Sequence, residues 1–553
     1  MKQEFNLLDE AWISVRTRDC RQKEVGLKEL LLHAEDYADL AGETKTQDFA
    51  LLRLILALMH TIFSRYDIYG EKRADDDDID FSSHNWEEIW RMGRIPPAPI
   101  EKYFSEWYDR FWLFDEKYPF YQSNEVNGVG NLYSTAKMIG TLVESGNKTR
   151  LFADYVGKAS KNARIIPLDY KQAARWLINL QCFDDIAAKK SMQVPKQPWV
   201  GRLHLIAVKG ENLFETIMLN YVADYDSSAK ERPSWEMTDS EQRALFPKEG
   251  SNKTEVAIPN NQAELLTLQS RCVYLYRENE QVVGYYIAGG AYFAADDLPL
   301  EKMTIWRYNK KDKIFKPEKC DKTKFIWQEF GDIVTDAEKS DSEKWRKPGV
   351  ISYFNCLLDK GKIDEDHMLK TVTASVIYNY DQATSLPIVD TVSDSLTFHV
   401  ALLRDAGERW RYMIIEKIAK CEEAAHKIAS LSISVQEAAG ASGDKLSGDA
   451  AKQQFYHKID RVFRLWLKEL DVKNDIEEYQ ALLERDLRQC ALNLGSEMVA
   501  DLEARALLGY KKTEKGKNTG DYYSAAKAYN IFAWKINEIF KAGENRAEIR
   551  DSL

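Results

Sequence analysis

The sequence predicts an α+β protein in two parts, a large mixed α/β domain over residues 1–393 and a C-terminal four-helix bundle over residues 394–553. Three observations predict it. Short β-rich runs alternate with apolar helical stretches before Pro387, and a helical period dominates after it. A chain of 553 residues with 44% hydrophobic and 12% aromatic content can also bury two cores.

The first segment reads as a strand at Trp12–Arg16, a turn at Arg18-Asp19-Cys20, a second strand near Glu24-Val25 and a helix from Leu27. Thr46-Gln47-Asp48 offers capping side chains ahead of a helix over Phe49–Arg65. Its apolar residues cover most of the circumference, the pattern of a helix buried in a large domain. Tyr103–Tyr121 is dense in aromatic residues and reads as a helix followed by a loop at Tyr118-Pro119-Phe120, with core packing favoured over base stacking. Cys272–Tyr276 and Val282–Ala288 form one hairpin across Arg277–Gln281. Thr304–Tyr308 and Lys313–Lys316 form another across Asn309–Asp312, with a lysine-rich tip. Helical periodicity then covers Leu396–Gln436, Gln453–Leu470, Ile476–Leu508 and Tyr522–Phe540. A Gly/Ser linker falls at Gly440–Gly448 and a lysine-rich one at Tyr510–Gly520.

The longest apolar stretch, Leu51–Phe63, carries Arg53 and His60 and falls short of the roughly 20 residues of a spanning helix. No signal or transit peptide is read ahead of the first strand, so the expectation is a soluble protein with no membrane partner. Seven cysteines, odd in number, far apart and without a CxxC pair, argue against a disulfide framework or a structural zinc. Buried inert thiols in a reducing cytoplasm fit them better. No GxxxxGKS/T, GxSxG or HExxH motif occurs, and only eight histidines are present as ligands or bases. The acidic run Asp75–Asp80 fails as a calcium loop, because an EF-type loop begun at Asp76 needs glycine where Phe81 stands. Nothing nominates a nucleophile, a cofactor or a metal, and the expectation is a non-catalytic protein.

The net charge of −11 opposes wholesale nucleic-acid binding. Basic and acidic residues balance from Thr397 onward, so the whole surplus precedes it and any DNA contact must be local. Two lysine clusters offer such a contact: Lys310, Lys311, Lys313, Lys316, Lys319, Lys322 and Lys324, and then Lys511, Lys512, Lys515 and Lys517. Each taken alone also fits an ordinary solvated loop.

Asn6-Leu7-Leu8 with Trp12-Ile13 and Val15-Arg16 resembles the N-terminal signature of the CasA family, the large subunits of type I-E CRISPR Cascade complexes. The resemblance continues through Phe111-Trp112-Leu113, Tyr118-Pro119-Phe120-Tyr121-Gln122, Leu151-Phe152, Ala173-Ala174-Arg175-Trp176-Leu177, Gln181 and Phe183-Asp184. It resumes at Arg232-Pro233-Ser234-Trp235-Glu236 and Asp381-Gln382-Ala383-Thr384-Ser385 and covers nearly the whole chain.

The resemblance implies a subunit that scans double-stranded DNA for a protospacer-adjacent motif and starts strand separation so that guide RNA can pair. It also implies assembly with backbone and small Cascade subunits and docking of a helicase-nuclease. By the same resemblance Gln382 matches a wedge that inserts beside the motif. Asp381 falls where the family often has asparagine, and an ionised aspartate only accepts hydrogen bonds and repels phosphate. Phe152 and Asp154 fall in a loop that reaches the motif and the guide's 5′ end, with Arg150, Lys158 and Lys161 nearby as phosphate contacts. The segment Asp185–Gln193 aligns with a loop that is glycine-rich in some members; here it has no glycine but carries Lys189 and Lys190 toward the minor groove or phosphates. Lys310, Lys311 and Lys313 are expected to contact flanking duplex. A structural scaffold without DNA readout and an unrecognised nuclease are the alternatives.

Overall fold

The computed structural model describes residues 3–73, 81–139, 167–184, 197–223, 230–246, 254–293, 297–340, 343–378, 388–441, 446–500, 502–514 and 517–541. The chain divides into two units. One comprises Met1–Lys322, Asp336–Lys362 and Lys370–Ser395; the other comprises Thr323–Thr335, Ile363–Leu369 and Leu396–Leu553.

In the first unit Ile13–Thr17 is the centre of a three-stranded antiparallel sheet, flanked by Gln22–Val25 and Tyr37–Leu40. The core helix runs from Lys45 to Phe63. It starts earlier than expected because Thr44 is the cap, its side chain accepting from the Gln47 N–H at 3.2 Å. Gln47 and Asp48 instead reach back to the Glu43 and Gly42 N–H groups, at 3.0 and 2.7 Å. Every residue from Thr46 to Phe63 is buried. A helix long and apolar enough to cross a membrane therefore lies inside the protein.

That burial takes in a charge. The Arg53 guanidinium meets the Glu301 carboxylate in two bonds, Nη1 to Oε1 at 3.0 Å and Nη2 to Oε2 at 2.9 Å, with side chains 0% and 1% exposed. The indole N–H of Trp199 and the backbone N–H of Met303 donate to the same carboxylate at 3.1 and 3.2 Å. Burial disfavours the Glu301 charge, but Arg53 and these donors outweigh it and hold the carboxyl below its ordinary range.

The aromatic run is divided differently from the expectation. A helix spans Pro97–Trp107, and Trp112–Phe114 is a strand paired with Glu4–Asn6, whose backbone groups this β-prone triplet satisfies. The rings form core, Phe111 stacking on Phe120 at 5.4 Å and Phe120 on Trp235 at 5.9 Å. The first expected hairpin forms as Arg271–Glu278 and Gln281–Gly289, turning through Asn279 and Glu280 at φ of 50° and 60°. The second forms as Trp306–Asn309 and Ile314–Pro317, and it belongs to a four-stranded sheet with Glu343–Arg346 and Ala337–Ser340. In another sheet Met368–Tyr378 lies between Leu205–Lys209 and Ile388–His399.

The second unit contains the bundle helices Glu408–Ala438, Asp449–Lys468, Ile476–Ala500 and Ala525–Ile539. Each packs on the next, and the fourth packs on the first. Their centre holds another buried ion pair, Lys417 Nζ to Glu484 Oε1 at 2.5 Å, which Lys420 joins at 2.7 Å. Gly495 admits the Phe532 ring so closely that a Cβ there would lie 2.3 Å from it. Three expectations change here. The first helix starts at Glu408, because Leu396 and Phe398, buried on alternate positions, end the strand Ile388–His399. The third helix ends at Ala500, and Ala504–Leu508 is a separate short helix. The lysine-rich linker is an antiparallel hairpin, Tyr510–Glu514 with Lys517–Tyr523, where tyrosines and threonines supply β propensity that the lysine count obscures.

Removing one partner of a buried pair leaves the other charge stranded. Arg53→Met is expected to lower unfolding free energy by about 3–5 kcal/mol, and Arg53→Met with Glu301→Leu to recover part of that loss, the Trp199 and Met303 N–H groups being left without their acceptor. Urea unfolding of the three proteins measures it; equal losses in the single and double variants would contradict it.

Candidate nucleic-acid interface

The turn between Trp306–Asn309 and Ile314–Pro317 is built by Asn309. Its Oδ1 accepts from the Lys311 and Asp312 N–H groups at 3.0 and 3.1 Å, and its carbonyl accepts from the Lys313 N–H at 2.8 Å. Lys313 closes the turn in the left-handed region at φ 56°. Lys310, Lys311 and Lys313 are all exposed. Among the described residues none of the three has an ion-pair partner, whereas neighbouring cations are committed: Lys316 to Asp312, Arg307 to Glu318 and Arg346 to Asp297. The tip therefore presents three unneutralised ammonium groups on a hydrogen-bonded turn.

The sheet beneath the tip carries a feature that sequence reading missed. Tyr308 and Phe315 oppose each other in the register, with ring centroids 5.4 Å apart. The Arg346 guanidinium lies 3.7 Å from the Phe315 ring and Lys344 5.7 Å from Tyr308. On the other face Arg307 sits 5.7 Å from the Trp345 ring. The available signal was Lys344-Trp345-Arg346, an alternation matching Arg307-Tyr308, but the acidic and polar residues around it hid a strand.

The residues that carry the family signature form frameworks. Arg175 donates to the Trp12 carbonyl at 2.7 Å and pairs with Glu24 and Glu43, while the Trp176 indole donates to Glu43 at 3.0 Å. Gln181 bonds both backbone groups of Arg271, accepting from its N–H at 3.0 Å and donating to its carbonyl at 2.9 Å. It also donates to the Tyr121 carbonyl at 3.3 Å. Asp184 pairs with the Arg271 guanidinium at 2.6 Å, both side chains buried. Glu236 receives two bonds from Arg65 and one from Tyr103, and Trp235 donates to Tyr103.

Of the remaining expected site residues, Phe152, Asp154, Lys189, Lys190, Asp381 and Gln382 lie outside the described residues. Their flanks are described. Lys189 and Lys190 fall between the described residues Asp184 and Gln197. Asp381 and Gln382 fall between Met368–Tyr378 and Ile388–His399, which are neighbours in one sheet. Among the described residues no group of three or more His, Cys, Asp or Glu side chains could hold a metal ion. The thiols Cys182, Cys272 and Cys421 are buried, and burial pushes the first two up to about 12.

The chain shares its fold, a mixed α/β unit and a helical bundle, with solved structures of CRISPR-associated proteins. Cse1 of Thermobifida fusca superimposes with a TM-score of 0.79 at 24% identity, over 98% of this chain and 99% of that one. A chain of a CRISPR RNA-guided surveillance complex superimposes with a TM-score of 0.70 at 16% identity, over 97% of this chain and 100% of that one. A curated relative, CasA/Cse1 of Thermus thermophilus, is 31% identical over 237 residues, a match spanning 42% of each protein. The family model for CRISPR-associated protein Cse1 matches residues 6–494, and the chain belongs to that family.

One framework group titrates near neutrality. Burial pushes the Glu231 carboxyl up to about 7, against hydrogen bonds from the Ala263 and Gln262 N–H groups at 2.7 and 3.4 Å. A raised carboxyl contributes stability that is complete below its unfolded pKa of about 4.3 and is lost as pH rises through the folded value. Between pH 4.5 and 8 the parent is expected to lose roughly 2–3 kcal/mol relative to Glu231→Gln. Urea midpoints at several pH values check this; parallel curves would contradict it.

Proposed function

We propose that this chain is the large subunit of a type I-E CRISPR RNA-guided Cascade complex. In this reading it recognises a protospacer-adjacent motif in double-stranded DNA, starts unwinding for R-loop formation and helps recruit a helicase-nuclease, without catalysis of its own. Family membership over residues 6–494 is the observation that carries it. The fold shared with a chain of an RNA-guided surveillance complex supports guide RNA and the backbone and small Cascade subunits as partners.

The physics asks little of such a subunit. Exchanging a DNA duplex for an RNA–DNA hybrid is nearly balanced in free energy, so nucleation and strand capture suffice. Unstacking the first step costs about a few kcal/mol, and Gln382 is the side chain assigned to offset it as a wedge. Asp381, beside it, accepts from base edges and does not approach phosphate. Phe152 and Asp154 act at the motif and the guide's 5′ end. Lys189 and Lys190 replace close backbone approach with mobile ammonium groups, which makes motif choice permissive, because the minor groove displays a degenerate pattern. Lys310, Lys311 and Lys313, exposed and uncommitted, hold flanking duplex through phosphates. The net charge of −11 makes binding by the isolated chain weak, so specificity belongs to the assembly.

Two measurements test this. Guide-loaded complex with this subunit is expected to bind motif-bearing duplex better than motif-free duplex, and Gln382→Ala to lose about tenfold on the former. A complex equally competent without the subunit would make it a scaffold. Replacing Lys310, Lys311 and Lys313 by alanine is expected to reduce the slope of log affinity against log salt by about 0.9 for each phosphate no longer neutralised, for every duplex alike. An unchanged slope removes the hairpin from the interface.

A further inference from the structure

In the register of Leu205–Lys209 with Met368–Tyr378, Lys209 stands directly opposite Lys370. Like charges across an antiparallel pair destabilise it. Lys209 turns to Asp39, on the strand Tyr37–Leu40 of the N-terminal sheet, and pairs with its Oδ2. That oxygen is shared, because Arg16, opposite Asp39 in its own sheet, lies 3.7 Å from it. Lys45, at the start of the core helix, is committed to Asp48 at 2.7 Å. Among the described residues Lys370 has no ion-pair partner. Four cations therefore face two carboxylates. Burial, with Lys45 and Lys370 nearby, holds the Lys209 ammonium below its ordinary range in spite of Asp39. The Lys209 side chain is 15% exposed whereas that of Arg16 is 49% exposed, so the surplus charge opens from a half-buried ammonium to solvent. Unbalanced charge in such a cluster opposes folding, and an anion from outside relieves it.

We propose that Arg16, Lys209 and Lys370 form a phosphate site for a nucleic-acid backbone, in residues distinct from the tip of the lysine hairpin. Surplus charges on different strands, one to each side of Lys209, suit successive groups of a polyanion better than a single carboxylate. The inference rests on the reading above that this chain works on nucleic acid. The site makes no base contact, so it adds affinity and fixes register without sequence preference. Target duplex and guide RNA share the chemistry it recognises.

Lys370→Thr, which keeps β propensity, separates a ligand site from a structural role, because the two predict opposite signs. The variant removes the cross-strand repulsion, so the isolated chain is expected to show a higher urea midpoint than the parent. Tripolyphosphate is expected to raise the parent's midpoint by more than the variant's. A lower midpoint for the variant, or equal shifts with tripolyphosphate, would overturn the site whatever the chain's partners are. The occupant is read from log affinity against log salt, for duplex DNA with the guide-loaded complex and for guide RNA with the isolated chain. The variant's slope is expected to fall by about 0.9 for duplex or about 0.7 for RNA, and the one that falls names the source. Unchanged slopes for both would overturn the phosphodiester assignment in favour of a docked acidic protein segment. If the parent chain adds nothing to duplex binding by the complex and binds no RNA, the functional reading fails, while the tripolyphosphate comparison still decides whether the anion site exists.

Discussion

The Arg53–Glu301 pair is the point from which the first unit is hung. Its partners come from a core helix and from a segment 248 residues later in the chain. Glu301 is followed almost at once by Met303, whose carbonyl accepts from the Ile206 N–H at 2.8 Å, and by Ile305, whose carbonyl accepts from the Glu318 N–H at 2.8 Å. Strand Leu205–Lys209 is thereby joined to the base of the lysine-tipped hairpin, and its other edge pairs with Met368–Tyr378. The same carboxylate also accepts the Trp199 indole N–H at 3.1 Å. The lysine-tipped hairpin and the sheet containing Met368–Tyr378 therefore share one buried origin. An apolar pair of equal volume would fill the space but would leave the indole and backbone donors without their acceptor.

The sequence carries some of this and hides the rest for physical reasons. An apolar residue at nearly every position of Leu51–Phe63 can only be a buried helix, so its existence was legible. The role of Arg53 was not, because its partner is distant and a lone arginine in an apolar run has many readings. The hairpin Trp306–Pro317 was legible from its β-rich arms. Its neighbours Ala337–Ser340 and Glu343–Arg346 were not, since Glu338, Lys339 and Glu343 look like loop. Local propensity also misled at Ile388–His399, where neighbouring strands decide the outcome. Gln382 came from family resemblance alone, because Asp-Gln-Ala-Thr-Ser has no chemistry that distinguishes it from an ordinary turn.

Net charge is a poor guide to this molecule because many of its cations are internally neutralised. Arg307, Lys316 and Arg346 have carboxylate partners, and Arg271 and Arg53 are buried with theirs. What a phosphate a few ångströms away senses is the uncommitted remainder, since fields from more distant acidic residues are screened within about 8–10 Å at physiological salt. An acidic protein can thus present a locally basic tip.

Lys313 sets backbone comfort against charge. At φ 56° a side chain crowds its own backbone, and glycine would relieve that strain by on the order of 1 kcal/mol. Glycine would also remove a third of the uncommitted charge at the tip. The turn is therefore a place where making the fold more stable makes the surface less attractive to a polyanion, and stabilising substitutions chosen for folding alone will strip charge from the tip first.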